Sequence, residues 1–120
     1  MSDNRRHDRV AGQIRDEIAS MIAQGELKDP RIGFTTVTRV ELSDDLSHAR
    51  VLVSVLGSDE EQRETLIGLA SATRFLRREV GVRLRLRRAP ELLIVLDHGA
   101  EQAQRIETLL EQLNREEPSS

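Results

Sequence analysis

Two runs of alternating residues limit what this chain can fold into more than any other feature. Phe34 to Leu42, FTTVTRVEL, is rich in Thr and Val. Read as a pleated strand, it places Thr36, Thr38, Val40 and Leu42 on one face and Val37, Arg39 and Glu41 on the other. Ala49 to Leu56 alternates again, with Ala49, Val51, Val53 and Val55 on one side. Ser43-Asp44-Asp45 between them is turn chemistry, so the pair is expected to form an antiparallel hairpin.

The apolar cover for that hairpin comes from segments of helical period. Residues 3–24 carry Val10, Ile14, Ile18, Met21 and Ile22 as one stripe, with Ser2 or Asp3 as the expected cap and Gly25 as the stop. Arg5, Arg6, Arg9 and Asp16 lie on the opposite face. Pro30 forbids a helix through the connection GELKDPRIG. After Gly57, Ser58-Asp59-Glu60-Glu61 has the spacing of a capping box, and a helix is expected over 60–80. Ser71-Ala72-Thr73 in its middle favours a bend or break, and Gly81 is expected to end it. Arg83, Arg85 and Arg87 then alternate with Leu84 and Leu86 as in an extended edge, and Pro90 marks a bulge or a strand's first residue. Leu92 to Leu96, LLIVL, suits a strand buried on both faces. Ala103, Ile106, Leu109, Leu110 and Leu113 make a closing amphipathic helix that starts near His98 or Gly99.

The expected order is helix, strand, strand, helix–kink–helix, strand, helix: an α+β fold in which a three-stranded sheet packs one face against helices. The chain has 120 residues and no internal repeat or linker, so residues 1–115 are expected to form one domain. Residues 116–120 are expected to form a polar, flexible tail.

Charge is distributed unevenly over this frame. From Arg74 to Arg88 the chain holds Arg74, Arg77, Arg78, Arg83, Arg85, Arg87 and Arg88 against the single acid Glu79. That block is formally +6 in a chain of net charge −3, which leaves −9 on the remainder. Arg74, Arg77 and Arg78 share one helix face, with Leu76 and Val80 on the other. Charge of that density is relieved by a polyanion, and guanidinium groups grip phosphate in pairs of hydrogen bonds. The bland alternative is that these arginines pair with Glu60, Glu61, Glu64 or Glu91, or lie over the core with their heads in water. Arg5, Arg6 and Arg9 form a secondary basic face on the first helix. The only aromatic residues are Phe34 and Phe75. Recognition is therefore expected to rest on shape and phosphate contacts more than on stacked bases.

Other chemistries find little support. The chain has no cysteine, so disulfides and cysteine-based zinc sites are excluded. His7, His48 and His98 belong to different elements, and none has a ligand partner at helical spacing. Asp97-His98 stands where a strand ends, but capping the last helix is its simpler role. No glycine-rich phosphate loop or nucleophile elbow is present. We therefore expect no catalytic residue, no metal and no cofactor. No apolar run approaches the ~20 residues that span a bilayer, so neither a membrane nor a secretory signal is expected.

Several motifs in order resemble the ribosome-binding factor A family. RVAGQIRDEIASMI resembles its first helix. KDPRIGFTTVTRVELSDDLSHARVLVSVL is the most diagnostic stretch, with Asp29-Pro30-Arg31, Val37-Thr38 and Ser43-Asp44-Asp45-Leu46 in place. FLRREVGVRLRLRRAPELLIVLD carries Leu76-Arg77, Leu84-Arg85-Leu86-Arg87, Pro90-Glu91-Leu92 and Asp97, and RIETLLEQL resembles the closing helix. The resemblance implies a KH-like domain of type II order. Where the family has an Ala-x-Gly kink between its central helices, this chain has Ala72-Thr73-Arg74, so an arginine replaces the glycine. It further implies a cytoplasmic, monomeric, non-catalytic factor that binds the free or immature 30S subunit near the 5′ region of 16S rRNA and the neck. Such a factor aids late maturation and 16S processing, supports growth in the cold and leaves before translation. Arg74, Arg77, Arg78, Arg83, Arg85, Arg87 and Arg88 are then the expected rRNA contacts, with Arg5, Arg6 and Arg9 secondary. The competing reading is a protein-interaction module whose arginines meet an acidic partner.

Overall fold

A computed structural model describes residues 2–116, and the side chains of all of these except 2–4, 100–105, 107 and 115–116. The expected caps Ser2 and Asp3, the side chain of Ala103 and the tail beyond residue 116 lie outside that description. The elements run α1 (Ser2–Ala23), β1 (Thr35–Leu42), β2 (His48–Val55), α2 (Asp59–Ser71), α3 (Thr73–Arg83), β3 (Glu91–Leu96) and α4 (His98–Glu116). The sheet order is β1-β2-β3, with β1 antiparallel and β3 parallel to β2. This is the expected α+β fold, and its order is that of a type II KH-like domain.

The core forms where the helical stripes meet one face of the sheet. Ile14, Ile18 and Met21 of α1, Val51, Val53 and Val55 of β2, Leu69 of α2, and Leu76 and Val80 of α3 are buried there. Each such side chain stabilises the fold by about 1.5–3 kcal/mol through removal from water. Along β2 the core-facing residues alternate, although Leu52 on the other face is buried as well, and along β1 the alternation breaks. The register with β2 shifts between Val37 and Arg39, which makes Thr38 a bulge. Val37 is therefore buried in the core, on the same side as the partly buried Val40 and Leu42, instead of on the opposite face. The freed Thr38 hydroxyl donates to Asp97 Oδ2 at 2.7 Å.

The capping box forms as expected. Ser58 Oγ accepts from Glu61 N, and Glu61 Oε1 accepts from Ser58 N at 3.0 Å. The long helix breaks at one residue, Ala72 (φ −92°, ψ 0°), whose N–H reaches both Gly68 O and Leu69 O. The connection before β1 clamps α2 just short of this break. Asp29 takes the Arg31 guanidinium through Oδ1 at 3.0 Å and Oδ2 at 2.6 Å, and Arg31 Nη2 also reaches Ser71 Oγ at 3.2 Å. Buried Thr65 receives Gly33 N at 3.0 Å, while Gly68 lies so close to Ile32 that an added Cβ would come within 2.8 Å of it. The clamp fixes where α2 ends, and so where α3 points.

Three expectations about the second half are corrected. Gly81 does not stop α3, which runs on to Arg83; the Gly81 backbone instead lets Ala89 approach, with 3.3 Å left for an added Cβ. Residues 83–88 are not an extended edge but the helix end and a loop. β3 is buried on one face only: Leu92, Ile94 and Leu96 pack on the core, whereas Leu93 is 58% exposed. The described part of the fold is about two layers thick, with a smallest dimension of 20 Å.

Candidate nucleic-acid interface

The basic face is built by α3 and the loop that follows it. α3 buries Leu76 and Val80, which turns Arg74, Arg77 and Arg78 outward together. These three arginines, with Gly81, Val82, Leu86 and Ala89, line an open concavity of about 460 Å³. Two of the arginines are held in place. Arg77 Nε donates to Ala89 O at 3.1 Å, which ties the helix to the loop and leaves the rest of the guanidinium directed outward. Arg78 lies over the Phe75 ring, 5.9 Å from its centroid, and has only a long 3.8 Å contact with Glu79. Arg74 makes no ion pair among the described residues.

The helix end shapes the far wall. Leu84 caps α3 with its N–H on Val80 O, Arg85 N reaches Val82 O at 3.3 Å, and Leu86 N reaches Gly81 O at 2.9 Å. This is a Schellman ending, in which the residue after the cap must adopt left-handed backbone. That residue is Arg85, at φ 53°. Glycine is the usual occupant, so an arginine here is a conformational cost set against a cation on the rim. Leu84 and Leu86 turn inward against the core, and Arg85, Arg87 and Arg88 stay exposed. The alternation visible in the sequence is real, but a pinned loop produces it.

Arg83 differs from its neighbours. It contacts Glu26 at 2.5 Å, Glu79 at 3.2 Å and Glu17 at 3.7 Å, with its side chain 29% exposed. The Glu26 hydrogen bond raises its pKa further, supported by Glu79. Its charge is answered within the fold, and it staples α3 to α1. Arg5, Arg6 and Arg9 are exposed at the other end of α1, where His7 Nε2 donates to Asp44 O at 2.9 Å in the β1–β2 turn. Arg5 lies about 18 Å along the helix axis from Glu17, so these three form a separate patch.

Sequence reasoning missed the floor of the concavity. Val82 stands at i+4 from Arg78 and i+8 from Arg74, a helical spacing that the expected stop at Gly81 conceals. Elsewhere, Asp97 Oδ1 accepts Gly99 N at 3.1 Å, so Asp97 caps α4 as expected. Among the described residues no group of three or more His, Asp or Glu could hold a metal ion, and no helix is long and apolar enough to cross a membrane.

With this geometry in place, known proteins give a consistent match. The family model for ribosome-binding factor A matches residues 6–110. The ribosome-binding factor A of Geobacter metallireducens is 46% identical over 113 residues, covering 94% of this chain and 95% of that one. The crystal structure of ribosome-binding factor A from Thermus thermophilus is 31% identical, with a TM-score of 0.65 over 75% of this chain and 94% of its own. A homology model of the Thermus thermophilus factor, fitted into a cryo-electron microscopy map of a 30S–RbfA complex, is 33% identical with a TM-score of 0.59 over 71% and 88%.

Proposed function

The chain belongs to the ribosome-binding factor A family, and on that premise we propose that it binds the free or immature 30S subunit through 16S rRNA and aids late subunit maturation and 16S processing. The observation that carries this reading is the concavity of Arg74, Arg77 and Arg78. It is rimmed by the exposed Arg85, Arg87 and Arg88, and apart from the 3.8 Å contact of Arg78 with Glu79 none of these arginines makes an ion pair among the described residues of an otherwise acidic chain. A backbone phosphate answers each of its requirements: negative charge, several acceptor oxygens and a shape that a wide, shallow site tolerates. Phe75 lies partly buried beneath Arg78, so the surface lacks an open aromatic platform and reads backbone shape.

The contact set is Arg74, Arg77, Arg78, Arg85, Arg87 and Arg88, while Arg83 holds the helix that presents them. Arg5, Arg6 and Arg9 serve as a second, weaker anchor. The 5′ region and neck of 16S rRNA are the proposed site, and the factor acts as a cytoplasmic monomer. The Thermus thermophilus relative fitted into a 30S complex supports the choice of partner.

Sedimentation through a sucrose gradient tests this. Wild-type protein is expected with 30S and precursor particles and not with 70S ribosomes. A variant with Arg74→Glu, Arg77→Glu and Arg78→Glu is expected to fold and to lose at least ~100-fold in affinity, since several charge-assisted contacts become repulsions. A folded variant that co-sediments as well as wild type would rule this surface out. Association that survives nuclease digestion of the particle would point instead to an acidic protein partner.

A further inference from the structure

We infer, on the reading that the basic concavity meets rRNA phosphates, that Arg31 is a positioning residue for it: held by Asp29, Arg31 fixes the backbone at the helix break and so aims Arg74, while meeting no phosphate itself. The three arginines of the concavity are not held alike. Arg77 is tied to Ala89 O, and Arg78 lies over the Phe75 ring. Arg74 has no such anchor among the described residues, and it stands in the first turn of α3, two residues past the break at Ala72. Its place is therefore set by the backbone that carries it.

That backbone lacks a lock of its own. Ala72 gives α3 no side-chain cap. The hydroxyls on either side of it turn back into α2: Ser71 Oγ donates to Ile67 O at 3.0 Å, and Thr73 Oγ1 donates to Ala70 O at 2.8 Å. The hold from outside α2 comes from the 29–33 connection, which seats on Thr65, Gly68 and Ser71, three small residues at three-residue steps along the helix. Gly33 N reaches Thr65 Oγ1, Ile32 lies against Gly68, and Arg31 Nη2 donates to Ser71 Oγ, the last residue of α2. Asp29 sets up that last contact. Its carboxylate accepts from Arg31 Nε and Nη2, and also from the Arg31 backbone N–H at 2.9 Å, which leaves the guanidinium one orientation. Both hydrogens of Nη2 are then used, one on Asp29 and one on Ser71. Each two-nitrogen edge of a guanidinium includes Nη2, so no fork remains for a phosphate.

The sign of one substitution separates positioning from charge. Asp29→Asn removes a negative charge and frees Arg31, so electrostatics alone, or a phosphate contact by Arg31, gives equal or tighter association with 30S subunits. Positioning gives the opposite: association at fixed salt is expected to weaken about 10-fold, the worth of one charge-assisted hydrogen bond. Arg31→Lys keeps the charge without the fork and is expected to lose as much. Both losses are expected to vanish in an Arg74→Gln background, because the side chain being aimed is gone. The full-length variants are compared by co-sedimentation titration with purified 30S subunits, after circular dichroism shows that each is folded. If Asp29→Asn and Arg31→Lys bind as tightly as wild type, or lose as much with Arg74→Gln as without it, the positioning role is overturned. Wild-type binding by Arg74→Gln alone would instead remove Arg74 from the contact surface, and the positioning role with it.

Discussion

Arg85 is the residue where structure and function oppose each other most directly. Its left-handed backbone at φ 53° closes the Schellman ending of α3, a position that costs an L-residue about 1–2 kcal/mol relative to glycine. The proposed function gives that arginine a reason to be there. Arg85→Gly should therefore raise the unfolding free energy by about 1 kcal/mol in urea titrations while weakening association with 30S particles. A variant that is destabilised, or that binds unchanged, would separate the residue from this role. Arg83 illustrates the converse. Three acids surround it, so its work is to hold α3 against α1. Counting charges along the sequence cannot distinguish the two arginines, because the acids that matter, Glu17 and Glu26, come from far earlier in the chain.

At the scale of elements, the legible features are those decided by near neighbours. The Ser58–Glu61 capping box, the break around Ala72 and the β1–β2 hairpin each follow from a few adjacent residues. The bulge at Thr38 does not: it satisfies a hydroxyl–carboxylate contact with Asp97 that joins distant parts of the chain. The helix end at residues 83–88 escapes the sequence for a different reason. Alternating Arg and Leu say only that successive side chains point apart, and a loop pinned by Leu84 and Leu86 gives the same pattern as a strand. Two connections also carry a pH signature. Hydrogen bonds from the Arg31 side chain and backbone hold Asp29 at a pKa of about 2, and those from Ser47 and Ser43 do the same for Asp45, against an ordinary 3.8. Depressed carboxylates stabilise the fold fully above the ordinary value and lose that contribution as pH falls through the folded one. The 27–33 connection and the β1–β2 turn should therefore loosen between about pH 4 and pH 2. Carboxyl carbon NMR titration checks this, with midpoints expected near 2 for both residues; midpoints near 3.8 would show that these bonds do not persist in solution.

The described residues form a thin slab, 63 × 41 × 20 Å, with a block of net +6 on one helix and loop in a chain of net charge −3. Such a charge distribution orients the molecule in the field of a polyanion, bringing the concavity forward and keeping the acidic remainder away. The family and the fold are legible in the sequence because many short motifs stand in order along it. The concavity is only half legible: its arginines can be listed, but its floor, its rim and the withdrawal of Arg83 depend on packing. If Arg74, Arg77 and Arg78 meet phosphates, association with 30S particles must weaken with salt in proportion to those contacts. Each phosphate contact contributes about −0.7 to −0.9 to the slope of log K against log salt concentration. Replacing the three arginines by glutamine should make that slope shallower by about 2 to 3, while Arg83→Gln leaves it unchanged. A slope that stays the same in the triple variant, or that falls equally with Arg83→Gln, would show that these three arginines do not meet the phosphates.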